Sequence, residues 1–398
     1  MTKRITRMTV LLVLAVMLCT VLASCITIRE TRPSVVGLAT IHEEEFGGVY
    51  LEMTIEDFNE KGFSYGDSVD VIFSNGYKLE DIPYYNGYYV AAGDPLLIAY
   101  PGYDYIKAAI NYGEDLWDEA RLYGIRHEIP VHETLWSIGG LNDHVTATVS
   151  LRERGKYADI QAARDIQYSD IREGYPSDEA FANFRPMNVG DLKENRIYRS
   201  ASPCNNQHNR APYVDRLMAE AGVQCILNLA DDLAKIEGYV SRDDFASPCF
   251  LSLLEDQKVI ALAMNMNFSS QDFRDKIAKG LTAMSEMEGP YLVHCTEGKD
   301  RTGFMCMLLE ALTGASYREI VDDYMLTYDN YYKINETKDK AKYDVILNMN
   351  LIAMMKEVAG DPDADLETAD LSSYARAYLL DCGMEEDAID ALISRLTQ

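Results

Sequence analysis

Along the chain the spacing of apolar positions changes character several times, and each change predicts a different kind of structure. Lys3, Arg4 and Arg7 precede a mostly apolar run from Met8 to Leu22, and small residues lead from there into Cys25. A basic start, a short apolar middle and a small-residue exit describe a secretory signal over residues 1–24. The run is too short, and too soon followed by Thr27, Arg29 and Glu30, to predict a membrane span. Residues 25–35 then read as a tether. From Val36 to Thr146 the apolar residues come in short aromatic and β-branched segments such as SVDVIF, GYYVAAG and PLLIAY, punctuated by Gly, Pro, Asn and Asp. That texture predicts a small β-rich domain over 36–146, closed by a helix near Ala108 to Leu122. The stretch 147–182 is polar, rich in Arg, Asp and Glu, and predicts a helical linker.

Beyond it the pattern becomes α/β. A strand is expected at QCILNLA, a helix from about Asp272 to Glu286 with Asp272 as its N-cap, and a strand at YLVH. A helix from about Thr302 to Leu312, stopped by Gly314, follows, and mostly helical sequence runs to the end. Strands alternating with helices predict, over 183–398, a central and mostly parallel sheet flanked by helices on both faces.

Composition narrows the function. The 398 residues are 47% hydrophobic and 25% charged, as in ordinary globular proteins. The 37 basic residues are outnumbered by 64 acidic ones, for a net charge of −27. Such a chain has no surplus of cations to displace counterions from a nucleic acid, so no nucleic-acid partner is expected. A site that handles phosphate on this body must make its own local positive field. Beyond Cys25 the cysteines are Cys204, Cys225, Cys249, Cys295, Cys306 and Cys382, with neither a CxxC pair nor metal-ligand spacing. Cys225 and Cys306 lie in apolar runs and are expected as buried thiols, while an exported protein could form a disulfide among Cys204, Cys249 and Cys382.

The chemistry concentrates in PYLVHCTEGKDRTG, Pro290 to Gly303. An apolar strand ends at Cys295, a polar loop turns back, and a helix begins. That arrangement aims backbone N–H groups and a helix N-terminus at one point. The helix dipole and a neighbouring guanidinium both favour a thiolate over a thiol there. Arg301, six residues after Cys295, lies where a tight loop returns to its start, and its planar fork can grip two oxygens of a phosphate above the sulfur. Gly298 permits backbone angles that a side chain would forbid. The Thr302 hydroxyl can hydrogen-bond the thiolate or the leaving group of a second step, and His294 can tune the cysteine through its own hydrogen bonds. These parts suit a two-step displacement through a cysteinyl-phosphate, with Arg301 and the loop amides stabilising the equatorial oxygens and no metal or other cofactor required.

The loop resembles that of the cysteine-dependent protein-tyrosine and dual-specificity phosphatases, and most of all the bacterial branch with the loop HCxxGKDRTG, which includes secreted tyrosine and phosphoinositide phosphatases. Supporting stretches are NFRPMNVGDLKENRIYRSASP, with Asn183, Phe184, Arg185, Arg196, Tyr198, Arg199 and Ser200 matching, VDDYMLTYDNYY, and the closing YARAYLLDCGMEEDAIDALISRL. The resemblance implies a tyrosine-phosphatase-like fold over about 180–398, with Cys295 as nucleophile and Arg301 as phosphate binder. Thr296, Glu297, Gly298, Lys299, Thr302 and Gly303 would complete the phosphate-binding loop, and Lys299 would be the extra cation associated with lipid or multiply phosphorylated substrates. Glu297 departs from the branch, which usually has a small residue there, and its negative charge at the mouth of an anion site is expected to weaken binding of highly anionic substrates. Where the branch has Asp-Leu-Arg, this chain has Asn228-Leu229-Ala230 followed by Asp231 and Asp232, and no WPD-type acid loop is visible. The general acid is therefore expected at Asp300, as in myotubularin-type and Sac-type phosphatases, with Asp231 and Asp232 as alternatives.

Two further resemblances are weaker in extent. Leu22-Ala23-Ser24-Cys25 resembles a bacterial lipoprotein box, which implies a lipid on Cys25 and tethering to the outer face of a bacterial cell membrane. GDSVDVIFSNGYKLEDIPYYNGY resembles part of the C-terminal β-barrel of S-adenosylmethionine hydrolases, whose second domain is not seen here. The expected function is phosphate monoester hydrolysis on phosphotyrosine protein or on inositol phosphates and phosphoinositides. The alternative is a catalytically decayed, surface-anchored protein that binds phosphorylated ligands.

Overall fold

The structure is a computed structural model and describes residues 32–44, 46–123, 125–128, 134–137 and 145–398. The expected signal segment and Cys25 lie outside the described residues. The chain forms two compact units, one holding the strands from Ser34 to Glu153 and the other made of Tyr157–Gln398 together with the short segments Tyr89–Asp94 and Asn111–Gly113.

The first unit contains β1 (Ser34–Glu43), β2 (Gly48–Thr54), β3 (Ser68–Phe73), β4 (Lys78–Tyr85), β5 (Pro95–Ile98), β6 (Tyr105–Ile110), a small ribbon of β7 (Ile125–Glu128) and β8 (Thr134–Ser137), and β9 (Thr146–Glu153). Seven of them close into a barrel in the order β1-β2-β6-β5-β4-β3-β9, antiparallel except between β4 and β5. Alternation puts Ala147, Val149 and Leu151 of β9 inside and the intervening residues toward the surface. Two expectations change here. The helix expected near Ala108 to Leu122 is instead strand β6 followed by a single helical turn, Leu116–Glu119. Ala108 and Ala109 favour helix intrinsically, but β6 is paired on both sides, to β2 and to β5, and tertiary pairing wins. Strand β9 occupies the start of the expected linker, because it bonds to both β1 and β3 and so closes the barrel.

The rest of that expected linker contributes structure to the second unit. Helices Ala158–Arg164 and Asp178–Ala182 precede the sheet, and Tyr175 and Phe181 pack with Tyr331. The sheet has β10 (Arg185–Pro186), β11 (Ile197–Ser200), β12 (Cys225–Asn228), β13 (Val259–Ala261) and β14 (Tyr291–His294), in the order β10-β11-β14-β12-β13. Only β10 runs antiparallel. The mostly parallel sheet flanked by helices is therefore as expected, with an antiparallel edge.

β14 is the middle strand, and all four of its residues are buried. Tyr291 and Val293 point to one face, with Cys225 and Leu227, into a core shared with helices Gln271–Ser285 and Asp300–Leu312. Leu292 and Ile226 point to the other, against Val214, Met218 and Phe250 from helices Ala211–Glu220 and Pro248–Glu255. A strand covered on both faces has no solvent side, which is why YLVH is apolar up to its last residue.

Cys225 and Cys306 are buried, as expected, and burial pushes the Cys225 thiol up to about 12. The six cysteines from Cys204 to Cys382 are all free thiols, so no pairing joins Cys204, Cys249 and Cys382. Helix Gln271–Ser285 is capped by Ser270, whose hydroxyl accepts from the Phe273 N–H, and not by Asp272. Asp272 lies within the first turn and pairs with Lys276 at 2.8 Å.

Candidate active site

In a parallel α/β sheet, ligands collect beyond the carboxyl ends of the strands. At that end of the central strand, residues Cys295 to Lys299 form a loop and helix Asp300–Leu312 begins, two residues earlier than the sequence pattern predicts. Cys295 is buried, at 3% exposure.

The loop is held from outside, carbonyl by carbonyl. The Thr296 carbonyl accepts from the Ser202 N–H at 3.1 Å, and that of Glu297 from the Tyr331 hydroxyl at 2.7 Å. The Gly298 carbonyl accepts from Asn183 Nδ2 at 3.0 Å and Arg199 Nη2 at 3.1 Å, and the Lys299 carbonyl from the Gly303 N–H at 2.7 Å. The N–H groups tell the opposite story. Among the described residues, no protein acceptor meets the backbone N–H of any residue from Thr296 to Thr302. Carbonyls bound to the scaffold and N–H groups left open make a cradle for an anion.

Gly298 explains why the loop can be this tight. Its φ is +70°, and a Cβ there would stand 2.2 Å from the Ser200 carbonyl oxygen. Ser200 ends β11, which runs beside β14, so the loop rests directly on the neighbouring strand. Gly303 is needed for a different reason: its Cβ would meet the Tyr324 ring at 2.5 Å.

The supports come from far away in sequence. Asn183 sits at φ +49° just past helix Asp178–Ala182, a left-handed position that Asn tolerates, and this turn leads its amide to Gly298. Below, Asp323 pairs with Arg185 at 2.7 Å and with Arg199, and all three are nearly excluded from water. Burial alone would raise the Asp323 carboxyl, but the two guanidiniums outweigh it and hold it well below the usual carboxylate range. Glu310, beside them on helix Asp300–Leu312, has the reverse balance: burial and the Asp323 charge push its carboxyl far up.

Arg301 donates from Nη1 to the Met264 carbonyl at 3.0 Å and from Nη2 to Thr296 Oγ1 at 3.3 Å, which fixes its fork over the loop. Its Nε and the Thr302 hydroxyl are buried without a protein partner. His294 donates from Nδ1 to the Cys295 carbonyl at 3.1 Å. Burial pushes its imidazole down to about 4, aided by the Arg301 charge and opposed by that hydrogen bond and by Asp231. It is therefore neutral near pH 7, and fixes the chain at Cys295 without adding charge.

The three acid candidates are separated by their surroundings. Asp300 is the first residue of its helix, next to Arg301, with its side chain 31% exposed and Lys299 Nζ 3.7 Å away. Asp231 is 4% exposed and has both oxygens engaged, by Asn228 Nδ2 at 3.3 Å and the Tyr239 hydroxyl at 3.2 Å. Asp232 is the N-cap of helix Leu233–Val240, accepting from the Lys235 N–H at 2.8 Å. Its carboxylate serves that helix.

Lys299 and Glu297 do not stand free. Lys299 Nζ is 3.0 Å from Glu297 Oε2 and 3.2 Å from the Tyr332 hydroxyl, and Glu297 Oε1 accepts from the Tyr168 hydroxyl at 2.7 Å. Sequence reasoning passed over Tyr168, which sits in the expected linker with no pattern to mark it. It also gave no role to Tyr331 or Asp323, although both fall within the segment VDDYMLTYDNYY.

A tyrosine-protein phosphatase of Nostoc commune is 29% identical over 137 residues, covering 31% of this chain and 45% of that protein. The chain thus spans less than half the length of that curated relative. Among solved structures, the core catalytic domain of the PP-IP phosphatase SIW14 from S. cerevisiae, in complex with citrate, matches 41% of this chain and 83% of its own with 20% identity and a TM-score of 0.25. The part of the chain that carries the cysteine, the cradle and the arginine, residues 250–398, matches the model of the tyrosine phosphatase family.

Proposed function

We propose that this chain hydrolyses phosphate monoesters in two steps through Cys295. The sulfur attacks phosphorus and forms a cysteinyl-phosphate as the P–O bond to the leaving group breaks; water then cleaves the P–S bond and releases inorganic phosphate. The observation that carries the reading is the one-sided bonding of the loop. Among the described residues, seven consecutive N–H groups after Cys295 lack a protein acceptor, beside a guanidinium already fixed by Met264 and Thr296. Donors held in place before reaction stabilise developing charge on the phosphoryl oxygens without reorganising, which is where such catalysis gains most. The family match over the same residues supports it.

Asp300 protonates the departing oxygen. In its carboxylic acid form it gives up the proton and is left as the carboxylate; it is the candidate that lies beside the cradle with its side chain reaching solvent, whereas Asp231 is buried and doubly bonded. The substrate is a phosphorylated protein or a phosphorylated inositol or its lipid. The sequence pattern around Cys25 supports export and a lipid anchor at the outer face of a bacterial membrane.

The test is covalent trapping joined to a leaving-group series. Cys295→Ser is expected to lower turnover of p-nitrophenyl phosphate by about 10⁴-fold and to abolish transfer of labelled phosphorus to the protein. Asp300→Asn should slow alkyl phosphates by roughly 10²-fold or more while costing p-nitrophenyl phosphate, whose leaving group needs no proton, less than about tenfold. Equal losses on both substrates would remove Asp300 from the role, and a leaving-group-dependent loss in Asp231→Asn would transfer it there. Turnover that survives in Cys295→Ser would defeat the reading as a whole.

A further inference from the structure

A second cation in a phosphate loop serves a second phosphate only if it is free to do so, and Lys299 is not. Its ammonium lies between two carboxylates, Glu297 at 3.0 Å and Asp300 at 3.7 Å, and its side chain is only 18% exposed. Burial pulls its pKa down, but Asp300, Tyr328, Glu297 and Tyr332 more than reverse this and raise it well above the usual lysine value. Lys299 is charged near neutral pH and paired with carboxylates of its own loop.

Glu297 is held just as firmly. Burial would raise its carboxyl, yet Lys299 and the Tyr168 hydrogen bond outweigh burial and keep it below the usual range. Tyr168 cannot easily swing away. Its ring stacks on Tyr331 at 5.1 Å, meets Tyr332 edge-on at 5.6 Å, and lies under the Arg210 guanidinium at 4.7 Å. Tyr331 in turn donates to the Glu297 carbonyl. An exposed ion pair would rearrange for an incoming anion. This one is partly buried and braced at both ends, so freeing Lys299 would leave a carboxylate unpaired beside the new phosphate.

We propose that Glu297, locked by Tyr168, is a specificity-determining residue that neutralises Lys299 and turns the site against substrates with several neighbouring phosphates, in favour of singly phosphorylated groups. The inference rests on the phosphatase reading above. It runs against what a cation at position 299 implies when that residue is read alone, and with the charge that Glu297 brings to the loop.

The experiment measures kcat/KM for a phosphotyrosine peptide and for a soluble inositol trisphosphate, and uses their ratio, so that general damage to the loop cancels. Wild type is expected to favour the peptide. Glu297→Gln keeps the shape and an acceptor for Tyr168 but removes the charge, and should shift the ratio toward the trisphosphate by about tenfold. Adding Lys299→Met to Glu297→Gln should abolish that gain, because the freed ammonium is its source. Tyr168→Phe, which retains the stacking and loses only the hydroxyl, should shift the ratio in the same direction by a smaller factor and stands in if the Glu297 variant does not fold. A wild-type preference for the trisphosphate, an unmoved ratio in Glu297→Gln, or a gain that persists without Lys299 would overturn the proposal while leaving the phosphatase reading intact. A wild type that hydrolyses neither of these nor p-nitrophenyl phosphate would overturn both.

Discussion

A single missing carbon sets the shape of the anion cradle. At Gly298 any side chain meets two obstacles at once, a left-handed φ of +70° and the Ser200 carbonyl 2.2 Å from where its Cβ would be. Neither can yield locally, since Ser200 is paired in register with His294 across β11 and β14. Gly298→Ala must therefore lift the loop off the strand, which moves the Arg199 and Asn183 hydrogen bonds together. The expected result is a loss of kcat/KM of at least about 100-fold, since displacements near 1 Å in a preorganised site cost that much, and destabilisation of roughly 2–4 kcal/mol in urea unfolding. A variant with near-normal turnover would show that the loop does not need this seat. Cys295, Gly298 and Arg301 could be read from the sequence because the chemistry of a turn lies within a few consecutive residues. Tyr168 could not, since it reaches Glu297 across 129 positions and only the folded chain creates the contact.

Between elements, the decisive contact is the buried ion cluster that ties helix Tyr317–Tyr332 to β10 and β11. Arg199 uses one nitrogen for Asp323 and another for the Gly298 carbonyl, so it relays the position of the helix to the catalytic loop, beside the direct bond from Tyr331 to the Glu297 carbonyl. Removing one member of a buried pair leaves an unmatched charge, and Asp323→Asn is expected to cost about 3–5 kcal/mol at pH 7. The pH dependence follows from the sign of the shift. Asp323 is depressed in the fold, so its contribution is complete above the unfolded carboxyl pKa near 4 and is lost as pH falls through the folded value. Glu310, raised in the fold, works in the opposite direction: its contribution is complete at low pH and is lost as pH rises through its folded value. The stability gap between wild type and Asp323→Asn should hold near neutral pH and narrow below about pH 4; a gap unchanged down to pH 3 would mean that the fold does not depress the Asp323 carboxyl. Elements were legible to unequal degrees. YLVH and the helix after it were plain, because a fully buried strand and a capped turn leave local marks. The end of β6, from Ala108, reads as helix in the sequence, because IKAAI has helical propensity and one of its two strand partners, 49–51, lies far back in the chain.

At the scale of the whole chain, each unit has hydrophobic core of its own among the described residues. One is drawn from residues between Leu38 and Leu151, and the others lie entirely beyond Tyr157. A unit with its own core can fold alone, so a fragment of residues 157–398 is expected to unfold cooperatively and to keep kcat/KM within about threefold of the full chain. The boundary suggested by composition, near residue 183, makes a sharper comparison. A fragment of residues 183–398 would lose Ala163, Phe181 and Ala182, all fully buried, along with Tyr168 and the Tyr175 ring against Tyr331. Deleting several buried side chains together costs more than the ~5–15 kcal/mol that holds most domains folded can absorb, at about 2–5 kcal/mol for each large one. The polar residues that make 157–182 look like a linker mostly face solvent or form ion pairs, as Arg172 does with Asp178 and Asp170 with Arg210, and the few apolar ones among them do the packing. The longer fragment should therefore be soluble and active, and the shorter one insoluble or at least tenfold impaired. Equal activity in the two would return residues 157–182 to the role of a spacer and would take the Tyr168 brace out of the active site.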